Sequence, residues 1–229
     1  MAHVYTITNK SKRSILSRYS TNTNIVFLNI ILFIIFTLLL IFNLIPIDYI
    51  AISPGNILAG KYIWTFITSM FMHAPGATIP LLSFHLIANM ISLFFIGGLV
   101  QKLIGSKRYI YFYLGSGIFA SLLYVVSALI FTDQMNTFAV GASGAIFGLL
   151  GLLMLIIPNL KVLVMFIVPL KMKYAAPGML IVLWLISLAT DVPIGNMAHL
   201  GGFLVGIFYG IYLRKKYKNK TRMISKYFS

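Results

Sequence analysis

The chain alternates long apolar runs with short polar, mostly basic segments. A helix crossing a hydrocarbon core of ~30 Å at about 1.5 Å per residue needs roughly 20 largely apolar residues. Six runs fit or approach that length, over 25–44, 83–101, 109–130, 143–157, 175–190 and 195–213. The first follows a polar, basic segment and is long enough to be a span, so no cleavable signal peptide is expected. The pattern predicts one all-α, polytopic membrane domain over 25–213, between a basic segment 1–24 and a basic tail 214–229.

Two parts depart from a plain bundle. The segment 45–82 between the first two runs contains Pro46, Pro54, Pro75 and Pro80 yet also Tyr62-Ile63-Trp64-Thr65-Phe66-Ile67, and is expected to fold in the membrane interface. The fourth run, at about 15 residues, would rise only ~22 Å as a helix. With its inner end at the cytoplasmic surface, its start lies below the outer surface, and the loop leading to it must descend to membrane depth. Irregular backbone is tolerated there only when buried in protein or lining a water-filled cavity.

Composition narrows the chemistry. The 229 residues are 60% hydrophobic and 9% charged, with 18 Lys+Arg against 3 Asp+Glu and no Cys. The absence of Cys removes thiol nucleophiles, disulfides and Cys-ligated zinc, and the absence of Glu removes the H-E-x-x-H metalloprotease motif. Asp48, Asp133 and Asp191 are scattered and do not suggest a paired-carboxylate site. No metal or cofactor is expected, and any chemistry must come from Ser, Thr, Tyr, His, Asn or backbone groups.

The net charge of +15 taken alone suggests a polyanion partner. Distributed over the six runs, 17 of the 18 basic residues fall on one side of the membrane and all three acids on the other, with only Lys61 among the basic residues joining them. The positive-inside rule then puts both termini in the cytoplasm and the first, third and fifth loops outside. A nucleic-acid arm is the competing reading of the tail, but a juxtamembrane basic cluster beside anionic lipid accounts for it without nucleic acid.

Polar residues on three runs share one depth. The short run opens on Gly141-Ala142-Ser143-Gly144; His199 lies just inside the sixth run, and His85 and Asn89, four apart and so on one helical face, open the second. Ser143 alone reads as a helix N-cap, and Gly144, Gly148 and Gly151 as a packing face. Together the four polar side chains form either a network that glues helices or a functional site, because polar groups in the membrane are costly unless paired or facing water. Read as a site, Ser143 needs a base and a histidine supplies it, while His85, Asn89 and the free N–H groups of the helix starting at Ser143 form an oxyanion hole. With no carboxylate in the runs, a Ser–His dyad is expected. The glycines at 202, 206 and 210, and at 144 and 148, recur every four residues, which permits the close helix approach such a dyad needs.

These residues resemble the rhomboid intramembrane serine proteases. The resemblance rests on Gly141-Ala142-Ser143-Gly144, on Ala198-His199 followed by Gly202 and Gly206, and on His85-Leu86-Ile87-Ala88-Asn89, in the family's order, and extends over roughly 62–213. It implies a six-transmembrane-helix bundle, with Ser143 as nucleophile, His199 as general base, and the oxyanion held by the Ser143 N–H, His85 and Asn89. It also implies cleavage of transmembrane protein substrates near the outer leaflet of the cell membrane, with the fifth helix and the loop before the sixth as a gate. A non-catalytic relative that binds or escorts membrane proteins is the alternative, though such relatives typically lack the Ser or the His. Phe147 stands where the family commonly has a Tyr stacked on the base, Thr65 where bacterial relatives often have Arg, and Gln101 where they often have Glu. The stretch from His73 to His85 is longer than the family's pattern; His73 matches a loop histidine read as structural, and His3 carries no role.

Overall fold

The computed structural model describes residues 19–164, 167–190 and 195–228. The basic segment up to Arg18, with His3, lies outside the described residues, as do Asp191 and most of the loop expected to act as part of a gate. The fold is mostly helical, and among the described residues five helices are long and apolar enough to cross a membrane, over Thr21–Ile41, Phe84–Ile104, Ser106–Ser127, Met172–Thr190 and Asn196–Lys216. These helices indicate a multi-pass membrane protein.

Helix α1 (Thr21–Ile41) opens on Ser20, whose Oγ accepts from the Thr23 N–H at 3.1 Å. Its buried residues are Asn22, Val26, Asn29, Phe33 and Thr37, a stripe at helical spacing, while Ile31, Ile34, Ile35 and Leu38 are exposed. The polar members face protein and the aliphatic ones face outward, as expected where the surrounding solvent is hydrocarbon.

Between α1 and the next long helix, the segment 42–82 folds on itself through α2 (Pro54–Leu58) and α3 (Thr65–Thr68). Tyr49, Tyr62 and Trp64 pack with ring centroids 5.0 to 6.0 Å apart, and the Trp64 indole N–H donates to the Tyr49 carbonyl at 3.0 Å. The long stretch before His85 closes as a turn, with the Gly76 N–H donating to the Pro80 carbonyl and the Ser83 hydroxyl to the Ala74 carbonyl.

Helices α4 (Phe84–Ser92) and α5 (Gly98–Ile104) form one continuous rod through a π turn over Leu93–Gly97. A π turn frees carbonyls from the ordinary ladder, and in lipid they need another donor. Asn22 provides it. Its Nδ2 donates to the carbonyls of Leu93 and Phe94 at 3.0 and 3.1 Å, and its Oδ1 accepts from the Tyr109 hydroxyl. The Gln101 Oε1 accepts the Asn22 backbone N–H at 2.8 Å, so the residue standing in place of Glu binds the start of α1. A side chain at Gly97 would collide with both Asn22 Oδ1 and the Tyr109 hydroxyl.

Gly105, with φ of 84°, makes the turn into α6 (Ser106–Ser127). Helix α7 (Ser143–Ile156) follows, with 14 residues and a rise of about 21 Å. It is apolar all round, and every residue from Gly144 to Leu153 is buried, which marks it as the central helix. On one side Gly144 and Gly148 lie against Ala120 and Ser116 of α6.

On another side lies α9 (Asn196–Lys216), packed backbone to backbone. A Cβ on Gly202 would run into the Gly144 carbonyl, one on Gly206 into the Gly148 carbonyl, and one on Gly151 into the Phe203 carbonyl.

The all-α expectation needs one correction. After α7, β1 (Lys161–Val164) pairs antiparallel with β2 (Val168–Lys171), Lys161 opposite Lys171 and Val164 opposite Val168. The β-branched and apolar residues there form a two-stranded hairpin too short to be a span. Helix α8 (Met172–Thr190) begins directly after it, three residues before the expected start. The basic tail is helical. Helix α9 continues through Lys216, and α10 (Lys218–Tyr227) follows after a break at Tyr217.

Candidate active site

Ser143 is the first residue of α7, and its N-terminal turn carries no side-chain cap. The N-cap position is Ala142, so the N-cap reading of Ser143 does not hold. Its Oγ lies instead 2.7 Å from the Nε2 of His199, one turn inside α9. The glycine contacts between α7 and α9 bring them together, since two helices with ordinary side chains at those positions could not approach so closely.

His199 is 6% exposed, and its ring lies against that of Phe147, centroids 4.6 Å apart and planes inclined at 31°. Phe147 is one turn after Ser143 on α7, so one helix supplies both the hydroxyl and the face against which the imidazole packs. His199 Nδ1 is buried without a hydrogen-bond partner among the described residues. Among the described residues no carboxylate contacts the ring.

His85 sits in the first turn of α4. The backbone N–H of Ala74 donates to its Nδ1 at 3.2 Å. In a neutral imidazole, accepting at Nδ1 puts the proton on Nε2, so Nε2 is a donor. It is directed at the Ser143 loop. A Cβ built on Gly141 would lie 3.0 Å from His85 Nε2 and 3.7 Å from Ser143 Oγ. The space that this glycine leaves open thus lies between a hydrogen-bond donor and the serine hydroxyl, and its φ of 126° also disfavours any side chain there. Asn89, one turn further along α4, donates one Nδ2 proton to the His85 carbonyl at 2.8 Å and keeps a second.

The backbone before Ser143 is fixed by His73, which sequence reading took as structural, and by backbone groups that it did not single out. The Gly141 N–H donates to the Ser69 carbonyl at 2.8 Å, and Ala139 exchanges both backbone hydrogen bonds with Ile52. His73, fully buried and 5.1 Å from the His85 ring, accepts the Ala142 N–H at 3.4 Å. Burial first, then the neighbouring His85, pushes His73 down to about 3, which keeps the ring neutral and Nε2 an acceptor. His73 holds the loop and does not face Ser143 Oγ as a base. Backbone contacts of this kind leave no mark in side-chain patterns; only the glycine at 141 and the histidine at 73 hinted at them.

The first turn of α7 offers further donors. The first bond across it is from the Ile146 N–H to the Ala142 carbonyl, so the N–H groups of Ser143, Gly144 and Ala145 have no intrahelical acceptor and sit at the positive end of the helix dipole. Among the described residues no cluster of His, Asp and Glu is arranged to hold a metal ion.

Comparison with known proteins identifies the family. A family model described as the Rhomboid domain matches residues 60–216. RHOMBOID-like protein 7 of Arabidopsis thaliana is 33% identical over 169 residues, 71% of this chain and 47% of that protein. RHOMBOID-like protein 1 of the same organism is 36% identical over 163 residues, 70% and 37% of the two chains. Rhomboid protease GluP of Bacillus subtilis is 28% identical over 160 residues, 68% and 27% of the two chains. The chain therefore spans less than half the length of these curated relatives. The family match runs from just before α3 to the end of α9, through every helix that contributes a side chain to the cluster around Ser143, and the chain belongs to the rhomboid family.

Proposed function

We propose that the protein is an intramembrane serine endopeptidase that cuts single-span membrane proteins in or beside their spans, near the outer leaflet. The observation that carries this reading is the 2.7 Å approach of Ser143 Oγ to His199 Nε2 in the interior of a multi-pass bundle. It is supported by a relative named a rhomboid protease.

In this reading His199 Nε2 takes the proton as Ser143 Oγ attacks the scissile carbonyl carbon. The carbonyl oxygen becomes an oxyanion in the space beside Gly141, between His85 Nε2–H and the N-terminal turn of α7, with the Ser143 N–H and the second Asn89 amide proton as further donors. Collapse returns the proton from His199 to the leaving amine and leaves an acyl ester on Ser143. Water, deprotonated by His199, attacks the ester through the same oxyanion site; collapse expels Ser143 Oγ, which takes the proton back from His199, and releases the carboxylic acid fragment. The chemistry needs no cofactor.

The same reading has the chain cross the membrane six times, the five long helices plus the short α7, over 25–213. Basic segments 1–24 and 214–229 are cytoplasmic, the segment before α4 lies in the outer interface, and the protein resides in the cell membrane.

The test is cleavage of a single-span substrate by the purified, detergent-solubilised protein. Wild type should release product, and Ser143→Ala and His199→Ala should each lose at least about 1,000-fold in rate. Equal behaviour of wild type and both variants would sink the dyad and favour a non-catalytic client-binding role.

A further inference from the structure

A second site lies at the opposite end of α7 from Ser143. There the end of α7, the last turns of α9 and one side of α10 enclose an open cleft of about 990 Å³. Leu155, Ile156, Pro158 and Ile211 contribute apolar surface, and Arg214, Lys215, Lys218, Arg222 and Lys226 supply five positive charges. Four of these, at 214, 218, 222 and 226, follow one another at four-residue intervals from α9 into α10. That spacing puts Lys218, Arg222 and Lys226 on one stripe of α10.

The arrangement is held in place. Tyr217, at the break between α9 and α10, lies under the Arg108 guanidinium, 5.5 Å from the ring centroid, and its hydroxyl accepts from Arg108 at 3.2 Å. Ile224 and Phe228 pack on the hydrophobic core from another side of α10. Met223 and Tyr227, 71% and 85% exposed, leave a third side apolar and open. A helix with one face on the bundle, one apolar face open and one basic face over a cleft suits the boundary between lipid and water.

The charge in the cleft exceeds what the protein balances. Like charges four apart on a helix repel. The C-termini of α7 and α9 each offer about half a negative charge, so together they offset about one of the five cations. Both described carboxylates, Asp48 and Asp133, lie in the loops at the Ser143 end.

We infer that this cleft binds an anionic phospholipid, its phosphate held by the 214, 218, 222 and 226 stripe and its glycerol and upper acyl chains against Leu155, Ile156 and Ile211. A free phosphate would share the charge but has nothing to place on the apolar surface, and the chain's multi-pass character puts lipid beside the cleft.

Native mass spectrometry of the full chain in neutral detergent tests this with phosphatidylglycerol, phosphatidylcholine and inorganic phosphate as separate probes. Wild type should retain one phosphatidylglycerol at concentrations where phosphatidylcholine does not bind. Lys218→Gln/Arg222→Gln/Lys226→Gln should weaken phosphatidylglycerol binding at least tenfold. These three side chains are exposed, so their removal leaves the packing intact, which an unchanged melting temperature in phosphatidylcholine micelles checks. Lys161→Gln/Lys171→Gln/Lys173→Gln, which removes equal charge from around the hairpin, should change binding less than twofold. Undiminished binding by the stripe variant, or an equal loss in the hairpin variant, would overturn the site. Full displacement of the lipid by inorganic phosphate would show a small-anion site instead.

Discussion

Among the described residues, packing orients the imidazole of His199. With Nε2 accepting from Ser143, the neutral ring carries its proton on Nδ1, which meets no partner among the described residues. A buried donor left unpaired costs about 1–3 kcal/mol, so the close Ser143 contact and the Phe147 face must hold the ring against that cost. An aromatic pair of this kind contributes about 0.5–1.5 kcal/mol beyond its buried area, or roughly 2- to 13-fold in an equilibrium. The Phe147 hydroxyl-free ring keeps that face, so Phe147→Tyr should leave kcat within about twofold. Phe147→Leu keeps most of the bulk and removes the face; kcat should fall about 3- to 10-fold while KM stays unchanged, because Phe147 is buried and already covers this side of His199. Steady-state cleavage of the single-span substrate reads both, and a Leu variant with full kcat would rule out ring packing as the orienting device.

At the scale of elements, the distance between Ser143 and His199 is a property of the α7–α9 contact. Gly202 lies against the Gly144 carbonyl, one residue from the serine and three from the histidine. Gly202→Val would force α9 away by the thickness of its side chain, and misplacement of catalytic groups by about 1 Å is enough for a 100-fold loss. Gly202→Val should therefore still insert and purify as a folded protein yet cleave at least 100-fold more slowly. Normal cleavage by the folded variant would mean that this contact does not set the dyad. The four-residue glycine spacing made this interface legible in the sequence, and polar side chains at membrane depth did the same for Ser143, His199, His85 and Asn89, since few other residues there carry chemistry. The π turn was not legible. Leu93 to Gly97 read as ordinary apolar helix, and the donor that stabilises the turn is Asn22, 71 residues upstream of Leu93. The hairpin was hidden for a similar reason, because strands of four residues carry too little periodicity to separate them from a helix end. Nor could side-chain patterns show that Ala74 sets the His85 tautomer, because the donor is a backbone N–H.

For the whole molecule, charge and structure agree on two unlike ends. The end at the start of α7 carries Asp48, Asp133 and the lone Lys61, while the end where α7 finishes carries Lys102, Lys107, Arg108, the hairpin lysines and the basic stripe of α9 and α10. Cytoplasmic loops retain Lys and Arg, so the second end should face the cytoplasm and Ser143 the outer side. Because the chain has no Cys, a single introduced thiol reports its side without background. Thr132, in the exposed turn between α6 and α7, and Asn219, exposed at the start of α10, are suitable positions at the two ends. Thr132→Cys should react with a membrane-impermeant maleimide on intact cells, and Asn219→Cys only after the membrane is opened. Labelling of Asn219→Cys alone on intact cells would reverse the orientation, and labelling of both would contradict the three crossings between the two positions that a spanning α7 requires. The 21 Å rise of α7 gives the pair of thiols particular weight, since a helix that short reaches one surface only if its other end begins within the membrane, at the depth of the serine.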